Sequence, residues 1–182
     1  KNSYKCITTK EELKKLIKDA TKSETVAIDT ETTGLDYIDS ELVGISLSFK
    51  AGEGFYIPIG HKDDSTPQLA IDYVLAELKP LLESNDKKFI GQNIKFDKNV
   101  LSKYGVDISS IKNDTMMMSY VLDASATRHN LDALASFYLG YKTSTFEEVA
   151  GKGVKQVTFD QVPIEAATNY AAEDADITLR LY

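Results

Sequence analysis

Apolar residues in this chain recur with two different periods, and the change from one to the other sets out the elements. At Thr9-Lys10-Glu11-Glu12 a capping pattern, with Thr8 or Thr9 as cap, precedes the apolar row Leu13, Leu16 and Ile17, which predicts an opening helix. Short β-rich runs follow over Thr25 to Thr30, Leu42 to Phe49 and Gly54 to Ile59, divided by Gly34-Leu35-Asp36 and Lys50-Ala51-Gly52. That spacing predicts an antiparallel three-strand meander. Pro67 is expected to open a helix running to about Leu82, with Leu69, Tyr73, Leu75, Leu78 and Leu82 as its buried positions. Lys88 to Gly91 reads as a strand feeding a helix that contains Asp97, and Ile111 to Thr115 as another strand. Further helices are expected from Met116, Leu131 and Pro163. Hairpins first and strand-helix alternation later imply an α/β fold, a mixed sheet covered by helices.

Acids interrupt this pattern where it should be apolar. Asp29 and Glu31 in VAIDTETTG close the run Val26 to Ile28, two positions apart, so in a strand both carboxylates project from one face. Asp97 stands on the helical row Ile94, Val100 or Leu101, Tyr104. Asp174, in NYAAEDADIT, shares a row with Ala166, Ala167, Tyr170 and Ile177. An inward carboxylate is costly to keep ionised without positive charge beside it. Acids from three separate segments are best explained by hard divalent cations, which take oxygen ligands.

Composition narrows the setting. With 182 residues the chain fits one domain, 1–182, with a well-buried core. No apolar run approaches the ~20 residues of a membrane helix, so no membrane span is expected. The chain begins without Met and stops in what reads as a helix, as a piece of something longer would. A lone cysteine, Cys6, suits a reducing cytosol. The formal net charge of −7 argues against a broad basic face for duplex DNA.

An Asp-x-Glu pair alone is a weak signal, because acids at strand ends are commonly solvated. The three segments, each on its predicted element, carry the argument together. Two cations about 4 Å apart can share carboxylates, generate hydroxide and stabilise both oxygens of a phosphodiester displacement. Tyr170, one helical turn before Asp174, adds a phenol. With an unperturbed pKa near ~10 it suits orienting water better than removing its proton.

The segments IDTETTGLD, GQNIKFDKNVL and YAAEDAD resemble the three exonuclease motifs of the DEDD superfamily, in the subclass carrying Tyr. From about Thr25 onward, including DTMMMSYVLDASATRHNLDALA and TFEEVAGKGVKQVTF, the chain resembles the proofreading domain of bacterial DNA polymerase I. The resemblance implies an RNase H-like mixed five-stranded sheet, three antiparallel strands then parallel ones, flanked by helices. It also implies metal-dependent 3′-5′ removal of nucleoside monophosphates from single-stranded or frayed DNA, in a cytoplasmic monomer with a polymerase domain in the same chain. Two divalent cations are implied, Mg²⁺ foremost with Mn²⁺ or Zn²⁺ as alternatives. By resemblance Asp29 bridges them, Glu31 and Asp174 complete the tighter site, and Asp97 supports the second through water. Leu35, Asn93, Arg128 and Phe146 align with residues holding the frayed strand or its phosphate, and Thr30 is grouped with them. Phe96 stands where the family often has Tyr and receives no polar role. Two rivals remain: a noncatalytic scaffold module of a polymerase, and an RNA-processing 3′-5′ exonuclease.

Other residues invite plainer readings. Arg128-His129-Asn130 also reads as a helix start capped by Asn130, and His61 and His129 as surface or strand-end residues. Gly151-Lys152-Gly153 lacks the spacing of a phosphate loop. Met116 to Met118 read as core and turn packing.

Overall fold

Alternation in the run from Thr25 turns Val26 and Ile28 to one side of a strand and Ala27, Asp29 and Glu31 to the other, and the two sides meet different layers. The computed structural model describes residues 1–108, 111–114 and 130–182. In chain order these hold β1 (Ser3–Cys6), α1 (Lys10–Thr21), β2 (Thr25–Thr32), β3 (Leu42–Lys50), β4 (Glu53–Pro58), α2 (Ile71–Leu82), β5 (Lys88–Gly91), α3 (Ile94–Lys103) and β6 (Ile111–Asp114). Then come α4 (Leu131–Leu139), α5 (Phe146–Ala150) and α6 (Ile164–Leu181), with single 3₁₀ turns at Gly153–Lys155 and Phe159–Gln161. The expected helix from Met116, together with Arg128 and His129, lies outside the described residues.

The strands form one mixed sheet in the order β1-β4-β3-β2-β5-β6. β2, β3 and β4 are the predicted antiparallel meander, and β5 and β6 extend it in parallel from β2. All five expected strands of the RNase H-like exonuclease fold are present. A sixth, β1, is added at the far edge, parallel to β4. Its four residues offer only Tyr4 and Cys6 as an apolar alternation, too short a pattern to announce a strand.

α1, α2 and α3 cover one face, closing Leu13, Leu16, Val74, Leu78, Val100 and Leu101 over Val26, Ile28, Ile45, Leu47, Ile57 and Phe89. Thr9 caps α1 by accepting from the Glu12 N–H. α2 begins at Ile71 rather than Pro67, because residues 67–70 are used otherwise. The Gln68 amide accepts from the His61 N–H (2.8 Å) and donates to the His61 carbonyl (2.9 Å), holding the approach extended. His61 itself departs from a surface reading: it is buried, its ring bonded to the Tyr56 hydroxyl (2.7 Å) and the Val162 carbonyl (2.9 Å).

α6 lies across the other face. Its Ala167, Ala171 and Ala172 pack on Tyr56 and Val43, and the approach is so close that a Cβ on Gly54 would stand 2.3 Å from the Ala172 carbonyl oxygen. Both ends of the helix are tied to distant chain. Pro163 offers no capping side chain, and Asp63 instead accepts from the Ile164 N–H at 3.0 Å. Near the other end, fully buried Asp176 accepts from the Gly52 N–H (2.7 Å), the Tyr4 hydroxyl (2.9 Å) and Arg180 (2.6 Å). Arg180 also donates to the Asn2 amide oxygen at 2.8 Å.

Candidate active site

The sequence-predicted acids come from both layers and meet at the end of β2. Asp29 and Glu31 face the α6 side, and α6 brings Asp174 over them. Each of the three offers a carboxylate oxygen within 4.8 Å of the others. Among the described residues no lysine, arginine or histidine forms an ion pair with any of them. Asp97 arrives from the opposite layer and stands outside that trio. It is 2% exposed, and its Oδ1 accepts both the Thr30 N–H (3.0 Å) and the Thr30 hydroxyl (2.5 Å). Thr30 thus joins β2 to α3 at the point where β2 delivers the pair.

Crowded acids out of water resist ionisation. Burial, foremost, raises the Asp29 carboxyl to about 7, against relief from the Thr30 N–H and from a hydrogen bond with Glu31. Burial also drives Glu31 well above the usual carboxylate range, with Asp29, Asp174 and Asp97 adding like charge. Contact between the two carboxyls lowers Asp29 and raises Glu31 further. Asp174 is raised by burial, then by Asp29, and is eased by the Tyr170 hydroxyl. Tyr170 is itself driven well above the ordinary phenol range, by burial first and then by Asp174.

Beside the acids opens a cleft of about 590 Å³ lined by Glu31, Leu35, Phe96, Phe146, Thr158 and Tyr170, among others. Leu35 is fully exposed on the β2–β3 connection. Phe146, the first residue of α5, lies edge-on to Tyr170 with ring centroids 6.2 Å apart and stacks on Phe159 at 6.3 Å. Asn93 sits outside this lining. It is exposed at the start of α3, and its φ of 101° makes it the one left-handed residue other than glycine among those described. Arg128 lies outside the described residues.

Residues 4–182 match the sequence profile of the family described as 3′-5′ exonuclease. The chain belongs to the 3′-5′ exonuclease family. It is homologous to the exonuclease region of bacterial DNA polymerase I. The Pseudomonas aeruginosa DNA polymerase I is 50% identical over 169 residues, which cover 91% of this chain and 18% of that protein. Borreliella burgdorferi DNA polymerase I is 41% identical over 179 residues, covering 98% of this chain and 19% of that one. The chain therefore spans about a fifth of the length of these curated relatives. In fold, this chain superposes on Trypanosoma brucei RNase D with a TM-score of 0.78 at 14% identity, covering 100% of this chain and 64% of that one. Brucella melitensis NrnC with bound Mg²⁺ gives 0.67 at 22% identity, covering 99% and 77%.

Two features of this family member escape a sequence reading. Gln156, Val157, Thr158 and Phe159 line the cleft because the chain returns there after α5. Glu173, beside Asp174 in YAAEDAD, is buried and turned the other way. It accepts from the Ser144 N–H (2.6 Å) and the Tyr141 hydroxyl (2.9 Å), fixing the connection that leads to Phe146. Only its adjacency to Asp174 could have flagged it.

Proposed function

We propose that this chain is a metal-dependent 3′-5′ exodeoxyribonuclease of the Tyr-containing DEDD type, trimming single-stranded or frayed DNA ends to nucleoside monophosphates. In this reading it proofreads for a polymerase domain in the same cytoplasmic protein. The observation that carries it is the trio Asp29, Glu31 and Asp174, without a cationic partner among the described residues, beside a cleft that Glu31 lines together with Leu35, Phe146 and Tyr170. The donor set fits a hard divalent cation: carboxylate oxygens only, within 4.8 Å of one another and crowded enough to oppose ionisation in its absence. Cations such as Mg²⁺, held by Asp29, Glu31 and Asp174 with Asp97 in support, would activate water and stabilise charge on the phosphodiester.

The chain's own groups supply the rest. Tyr170 keeps its proton at neutral pH and offers a fixed hydroxyl to aim water, its ring braced by Phe146 and Phe159. Leu35 and Phe146 present apolar surface to the last bases, which suits a single strand on an acidic protein better than a duplex backbone does. A paired terminus must be unstacked before its phosphate reaches the recessed acids, at a cost of a few kcal/mol that a mismatch reduces.

The test compares initial rates on single-stranded, mismatched-end and blunt DNA, and on single-stranded RNA, in Mg²⁺, Mn²⁺ or chelator. The expected order is single strand, then mismatch, then blunt, with no cleavage in chelator. Equal rates on all DNA ends, or cutting of closed circles, would overturn the reading. A silent protein that binds no Mn²⁺ would be the scaffold, and preference for RNA would mark an RNA-processing enzyme.

A further inference from the structure

Leu35 forms one wall of the cleft yet buries nothing of itself, standing fully exposed between β2 and β3. A side chain on such a loop tip contributes to binding only if the loop is already fixed, since ordering it on contact would consume the gain. The loop is braced internally. Asp36 accepts from the Ile38 N–H through its side chain and from the Ser40 N–H through its carbonyl, while Thr33 and Glu41 bond across the neck. These contacts hold the loop's shape without fixing it to the rest of the molecule.

That attachment comes from the end of α3. The Lys103 ammonium donates to the carbonyls of Tyr37 (3.1 Å), Ile38 (3.2 Å) and Ser40. The next residue, Tyr104, accepts the Leu42 N–H on its hydroxyl at 3.0 Å. An ammonium has three protons, and the three carbonyls take all of them, so Lys103 is not poised to grip a phosphate. Nor does a carboxylate hold it by an ion pair among the described residues. The same helix carries Asp97 in its first turn and Phe96 in the cleft wall.

We propose that Lys103 is a positioning residue for substrate: by binding the three carbonyls it fixes the β2–β3 connection to α3, so that Leu35 meets the terminal bases of a single strand preformed. The identity of the ligand rests on the exonuclease reading above. Lys103 touches neither the carboxylates nor Tyr170, so its loss weakens strand binding and leaves the rate at saturation unchanged. Lys103→Met retains the aliphatic stem and removes the ammonium, which stands 5.7 Å from the Tyr104 ring centroid, with its donors. Lys103→Arg restores donors to the same carbonyls.

The experiment uses the chain with Lys103→Met, Lys103→Arg, Leu35→Ala and the double variant Leu35→Ala/Lys103→Met. Three quantities are read: KM and kcat on single-stranded DNA in Mg²⁺, anisotropy of a labelled oligothymidylate, and the rate of chymotrypsin cleavage at Leu35 or Tyr37. For Lys103→Met the expected result is KM raised about 5- to 10-fold, the lower end of one stacking contact, with kcat unchanged and faster cleavage of the loop. Lys103→Arg recovers most of the loss, and the double variant is no worse than Leu35→Ala, because both changes remove one contact. Wild-type binding by Lys103→Met, a fall in kcat, or additive losses in the double variant would each overturn the proposal. Should the unaltered chain bind the strand but fail to cut it, the exonuclease reading falls, and the anisotropy comparison still decides the role of Lys103. Should it neither bind nor cut, both fall.

Discussion

Tyr170 shows how far a single side chain is shaped by its neighbours. Its ring packs against both Phe146 and Phe159, and its hydroxyl meets Asp174 with Glu31 and Asp29 close enough to oppose a phenolate. The group is thereby kept neutral, a hydrogen-bonding guide for water rather than a base. Tyr170→Phe keeps the ring packing and removes the guide. Single-turnover kinetics at saturating enzyme should show a loss near the lower end of the ~10²–10⁴-fold range for a positioned proton-handling group, with DNA affinity little changed. A wild-type chemical step with weakened binding would assign Tyr170 to packing instead. At this scale the acids were legible because apolar periodicity says where each one points. His61 was not, since its burial depends on a carbonyl 101 residues away at Val162. Nor does any spacing in the sequence link Thr30 to Asp97, which approach from different layers.

Elements are where the sequence spoke most clearly and where its omissions have physical causes. β5 and α4 begin where the pattern changes period, at Lys88 and Leu131. β1 carries too few alternations to stand out, and α2 starts late because Gln68 pairs with the His61 backbone. The seating of α6 is the consequential contact, because it sets the distance between Asp174 and the pair on β2. Small residues make it: Ala171 and Ala172 on the helix, Gly54 beneath. Gly54→Ala would place a methyl 2.3 Å from the Ala172 carbonyl oxygen, a backbone atom that no rotamer change can move aside. Overpacking of this kind costs about 1–3 kcal/mol, or roughly 3–10 °C in Tm for a chain of this size. Thermal unfolding should show that loss, and Ala172→Gly should not restore it, since the clash is with main chain. Full recovery by Ala172→Gly would mean the methyl groups set the spacing.

For the molecule as a whole, the raised carboxyl pKa values imply a distinctive dependence on pH. Asp29, Glu31 and Asp174 all protonate more readily folded than unfolded. Groups raised in this way contribute stability that is fully present below their unfolded pKa and is lost as pH rises through the folded value, about 7 for Asp29. In chelator, then, Tm should rise by about 3 °C or more on going from pH 8 to pH 6. Mg²⁺ binds the deprotonated acids and should stabilise more at pH 8 than at pH 6, flattening or reversing that slope. Scanning calorimetry at both pH values, with Mg²⁺ or chelator, checks this. Greater stability at pH 8 in chelator would contradict the raised carboxyls of the trio.

The ties at the two ends of α6 bear on where this molecule can be cut. Asn2 and Tyr4, at the outermost edge of the sheet, hold Arg180 and Asp176 on the helix that carries Asp174. Trimming to Cys6 would strip the buried Asp176 of its phenol and the Arg180 guanidinium of its bond to Asn2, two residues along from a candidate ligand. A piece that begins at Asn2 keeps both ties, and a fusion partner placed ahead of that residue leaves them undisturbed.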